Sequence, residues 1–185
     1  MSPVVALPGP QLYALRAEVL AASWFAALGE PLTDGDRSDA SAYAEALGFG
    51  SLAIGLSRDW RDAERLLKAP DWMPSWWARE EEIRQLLLRE AKGRYPERAL
   101  WSSLTELTTE AGDLVHGKAA TAAARMGNAA PASIHVAAGA ASQAIYHLAL
   151  ARLAGQAASP FESKFRLFAA GRWPLGALGS KLVVF

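Results

Sequence analysis

Between Arg125 and Glu162 the only formal charge is Arg152. Within that interval Pro131 to Ala154 reads as one alanine-rich helix, apolar on nearly every side. A helix without a polar face has to be surrounded, by protein or by lipid. Its polar groups, His135, Ser142, Gln143, Tyr146, His147 and Arg152, are too many for a stable membrane span. The stretch is therefore expected to be the central post of an all-α domain, joined at Gly127-Asn128 to a second long helix that starts after Pro96. Alanine and glycine along both would let the two backbones approach closely.

The remaining apolar patterning supplies four or five further helices, giving six to seven in one bundle. At 185 residues the chain suits a single core, and 51% hydrophobic residues exclude disorder. The domain spans residues 1–185, with an extended arm at 1–10 and an extended tail or hairpin at 172–185. Leu12, Leu15 and Val19 set the stripe of a first helix from Gln11 to Leu28, stopped by Gly29 and Pro31. An acidic second helix starts near Asp34 or Asp36, ends at Gly48, and looks solvated. Residues 49–56 read as a connector. Ser57 caps a short helix to Ala69, and an amphipathic helix runs from Ser75 to Lys92. Its charges Arg79, Glu80, Glu81, Glu82, Arg84 and Arg89 are assigned to a solvated face. Ser159-Pro160-Phe161-Glu162 opens a last helix with the signature of a capping box. Phe161, Phe165 and Phe168 form its inner side, with Lys164 and Arg166 directed to solvent. After Gly171 the pattern breaks, and a Gly179-Ser180 turn before the β-branched Lys181 to Phe185 suits a hairpin.

Charge and composition narrow the function. Nineteen basic residues balance nineteen acidic ones, without the basic excess that phosphate binding would need, so nucleic acid is not an expected partner. The chain has no cysteine, which removes disulfides, thiolate metal sites and a cysteine nucleophile, and suits a reducing, cytoplasmic setting. Residues 1–10 carry three prolines and no cation, unlike a secretory leader. Gly50 and Gly55 have the spacing of a phosphate-cradling loop, but Leu56 stands where its lysine belongs. Metalloprotease, nucleophile-elbow, dinucleotide and calcium-loop motifs are all missing, and no cofactor is expected.

A helical binding or assembly module acting as a homodimer is the leading expectation. It would work through apolar and aromatic surface: Trp72, Trp76 and Trp77 in the proline-bounded segment, and Trp173 and Phe185 in the tail. The rival is an enzyme or small-ligand binder with a polar cavity beside the central helix. His135, Tyr146 and His147 would move protons there, with Glu18, Lys118 and Arg125 supplying charge. Lys118 and Arg125 continue the leucine stripe Leu100, Leu104, Leu107, Ala111, Leu114, unless Ala119, Ala122 and Met126 take over beyond Gly117. A third expectation is a metal site on the acidic face of Glu106, Glu110, Asp113 and His116, where Asp113 and His116 have carboxylate–histidine spacing.

Overall fold

The computed structural model describes residues 8–127 and 130–185. Most of the expected arm and part of the Gly127-Asn128 turn lie outside these residues. In chain order the elements are α1 (Gly9–Ala21), α2 (Asp34–Ala46), β1 (Ala53–Leu56), α3 (Trp60–Leu67), α4 (Pro74–Arg94), α5 (Glu97–Arg125), α6 (Pro131–Leu153), α7 (Pro160–Ala169), β2 (Pro174–Leu178) and β3 (Lys181–Val184). The chain is thus mostly helical, with a small three-stranded sheet. No helix among the described residues is long and apolar enough to cross a membrane.

The helix expected over Pro131 to Ala154 is present as α6, and it touches α1, α4, α5 and α7. From Ala144 to Leu153 every residue but Tyr146 and Arg152 is buried. At its other end Pro131, Ala132, His135 and Val136 are exposed, so protein covers only the second half fully. α5 meets this nearly charge-free rod along a side that carries the buried Val115, Ala119, Ala122 and Ala123. A helix turns every 3.6 residues, so the leucine stripe continues through Val115 and Ala119, and Lys118 is left in solvent.

α1 ends seven residues sooner than its sequence pattern predicts. Past Ala21 the chain is captured by the C-terminal end of α7: the Ser23 amide donates to the Ala169 carbonyl at 2.9 Å, and Ala27 to Gly171 at 3.1 Å. Phe25 takes a left-handed conformation, φ 59°, to lie edge-on to Phe168 and Trp173. Aromatic burial here outweighs helix continuation.

α2 is no solvated outer element. Thr33, rather than an aspartate, caps it, in a reciprocal box with Asp36. Its Ala40, Tyr43 and Ala44 then pack with Leu47, Trp76, Leu167, Ala177, Leu182 and Val184 in a second, smaller core. α3 is likewise capped by Asp59, two residues beyond the expected Ser57.

The tail does form the expected hairpin, β2 antiparallel to β3 around Gly179-Ser180. The connector at 49–56 contributes β1, which runs parallel to β3 from Ala53↔Lys181 to Leu56↔Val184. The order is therefore β1-β3-β2, with the last strand in the middle. Periodicity could not reveal β1, because four residues with a central glycine carry too short a pattern. The tryptophan segment borders this sheet. Met73 donates to Ala177 at 3.0 Å, Gly179 to Asp71 at 3.1 Å, and Trp72 bridges Leu178.

Candidate functional site

Three side chains from three helices meet in a sealed polar centre. Trp76, Glu80, Leu87 and Ala91 share the inward stripe of α4, so Glu80 is buried despite its charge. On α7 Lys164 lies within about 60° of both Phe161 and Phe168 in rotation and is buried with them. Lys164 Nζ stands 2.6 Å from Glu80 Oε1, and the Tyr43 hydroxyl of α2 donates to the same oxygen. The ammonium also lies 5.8 Å from the Tyr43 ring centre and 6.0 Å from that of Trp77. Burial, reinforced by the Glu80 charge, pushes the Tyr43 phenol well above its ordinary range and keeps it protonated. Assigning Glu80 and Lys164 to solvent was therefore incorrect. Each occupies an inward rotation, and each neutralises the other.

His147 adjoins this centre from α6, its ring 4.3 Å from that of Phe161. Its Nδ1 and Glu80 Oε2 are buried without a hydrogen-bond partner. Burial first, then the charges of Lys164 and Arg84, press His147 down to about 2, so it is neutral in ordinary solution. The clefts between α1 and α5, between α1 and α7, and beside the β2–β3 turn are lined by other residues than Tyr43, Glu80, His147 and Lys164. An ammonium, a carboxylate and a phenol buried together in this way hold three helices in register.

A second buried pair, Arg172 with Asp36 at 3.0 Å, lies further along α2. The guanidinium also donates to the carbonyls of Ala27, Glu30 and Pro31. Between the two pairs Arg166 meets Asp39 at 2.6 Å. Positions 36, 39 and 43 of α2 thus face 172, 166 and 164 in reverse order, a polar seam between antiparallel segments. Glu162 does not close the expected capping box. Ser159 accepts from the Phe161 amide, while Glu162 turns to Arg152 at 3.1 Å.

The six groups expected around a cavity are dispersed. Glu18 is taken by Arg152, at 2.7 and 2.8 Å, and that bond holds its carboxyl below the ordinary range. Arg125 is exposed and donates to the Phe25 carbonyl at 3.2 Å. Lys118 and His135 are exposed. Tyr146 and His147 remain neighbours, with rings 5.9 Å apart, but His135 lies twelve residues, about 18 Å, back along α6. On the acidic face, Glu106 and Glu110 both bind Arg16, at 2.9 and 2.8 Å. Among the described residues no three histidine, aspartate or glutamate groups converge. His116 faces His135 instead.

Of the aromatic candidates, Trp76, Trp173 and Phe185 are buried within their own chain, Trp72 is half-buried, and Trp77 is exposed. Indole and phenyl area here fills the two cores, where it stabilises the fold more than an exposed site would. The least covered apolar surface belongs to α1. At about 100° per residue, Leu12, Leu15 and Val19 point inward, and Pro10, Ala14, Ala17 and Ala21 point away. Beside them Tyr13 is 74% exposed and Leu20 67%. Tyr13 and Leu20 also edge two adjoining clefts between α1 and α5, the larger of about 510 Å³. The two charges of α1, Arg16 and Glu18, are both neutralised inside the chain. A comparison with known proteins finds no matching family model, no matching curated protein and no matching solved structure.

Proposed function

We propose that the helices form one bundle organised around α6, and that this bundle is a cytoplasmic assembly module that pairs with a second copy of itself. The single observation that carries this is the outer face of α1, where Tyr13 and Leu20 are 74% and 67% exposed. A helix with apolar residues on its outer as well as its inner face is stable against protein rather than water. With both α1 charges bound internally, the face asks for a partner equally free of charge, and another α1 meets that requirement. Two such helices crossing about a twofold axis would make an isologous contact.

The test is the mass of the untagged protein by sedimentation across micromolar concentrations. A dimer that Tyr13→Ser and Leu20→Ser dissociate, and that Trp77→Ser leaves intact, supports this surface. A dimer broken by Trp77→Ser alone would move the contact to the tryptophan segment. A monomer at every concentration would remove the reading.

A further inference from the structure

His116 of α5 and His135 of α6 stand with ring centres 5.0 Å apart and planes at 67°. Both side chains are exposed. Nδ1 of His135 lies 2.8 Å from the Pro131 carbonyl oxygen. A carbonyl can only accept, so Nδ1 carries a proton, and in the neutral imidazole that leaves the lone pair on Nε2. A backbone carbonyl on the far ring nitrogen is the arrangement that orients a histidine toward a metal ion. The separation agrees with that role. With metal–nitrogen bonds of about 2.0–2.1 Å at a tetrahedral angle, two imidazoles on one ion have ring centres about 5 Å apart.

We propose that His116 and His135 form a surface site for a late first-row divalent cation, such as Cu2+, Ni2+ or Zn2+. Imidazole suits these ions, and affinity through the series peaks at copper. No group of three or more candidate side chains exists among the described residues, so water completes the coordination. Asp113, one turn before His116 on α5, adds a negative charge nearby, while Glu106 and Glu110 are already held by Arg16. An ion bound here ties the last third of α5 to the second turn of α6. Because only the folded chain brings the two rings together, binding stabilises that state. The site is independent of the α1 assembly face.

The experiment is calorimetric titration of the full, untagged chain with CuSO4, NiCl2 and ZnCl2, followed by thermal melting with and without EDTA. One ion per chain is expected, tightest for Cu2+, with a melting temperature raised by the metal and restored by EDTA. His116→Ala and His135→Ala remove only exposed rings, so both variants fold. Each is expected to weaken binding at least about tenfold, since even an outer-shell partner is worth about 10–100-fold. Absence of stoichiometric binding would show that the two rings merely stack edge to face, and would overturn the site. Binding that survives either substitution would overturn it too.

Discussion

Lys164 Nζ lies 2.6 Å from Glu80 Oε1, with both side chains almost fully removed from water. Their helices are separated in sequence by the whole α5–α6 pair, so one ionic contact fixes α7 against α4. Taking two charges out of water is expensive, and such a pair sets register more than it adds net stability.

Removing one partner is therefore expected to do more harm than removing both. Lys164→Met strands the carboxylate and should lower the unfolding free energy by about 3–5 kcal/mol. Adding Glu80→Gln keeps an acceptor for Tyr43 while deleting the orphaned charge, and should recover part of that loss. Urea denaturation of the two single variants and the double variant closes the cycle. Losses that simply add would show that the two residues are not coupled.

A second prediction concerns acid. His147 is pressed from 6.5 to about 2 in the folded chain, so below about pH 6.5 only the unfolded chain takes up its proton. Its contribution is complete above that pH and is lost as pH falls toward the folded value, by up to about 1.4 kcal/mol per unit. His147→Leu lacks the proton site. Its stability should change less between about pH 7 and pH 4.5 than that of the parent protein. Parallel stability curves for the two proteins would contradict this.

Gly176 offers a steric test. Its φ is +134°, and a Cβ there would come within 2.6 Å of the Trp72 ring. The bridge to Leu178 fixes the Trp72 backbone, and its ring is stacked on Trp77 with centres 6.1 Å apart, so the indole can yield only by leaving that contact. Gly176→Ala should therefore destabilise by about 1–3 kcal/mol. Tryptophan emission should shift as well, because the indole is displaced from the strand it covers.

Arg172 holds one carboxylate and three carbonyls with a single planar fork. Lysine keeps the charge but cannot reach all four acceptors. Arg172→Lys is expected to lose about 1–3 kcal/mol, measured by thermal or urea unfolding. A fully stable lysine variant would mean that charge alone, without the fork, secures the start of the hairpin.

Much of this architecture was legible in advance. The α6 rod, the Pro160 helix start with its three phenylalanines, and the Gly179-Ser180 hairpin all follow from patterns within ten or twenty residues. The polar centre was not legible, although its positions were. Glu80 shares the rotation of Trp76, and Lys164 that of Phe161 and Phe168, yet residue type sends a lone charge to the surface. Only pairing across eighty-four residues makes burial tolerable, and one-dimensional periodicity carries no record of it. The same limit hid the fate of Glu18 and Arg16, whose partners lie on α6 and α5. It also concealed the early end of α1, decided by α7 rather than by its own residues.

The position of β3 bears on the order in which the fold can be completed. As the chain emerges from synthesis, β1 appears with nothing to pair with, and β2 follows more than a hundred residues later without joining it. Both then wait for Lys181–Val184, which bonds to each. Until that strand arrives, the aromatic clusters beneath the sheet have no roof and the edges of β1 and β2 stay open to other chains. Final folding of this protein should therefore be slow and concentration-sensitive for its size, a liability carried by a strand of only four residues.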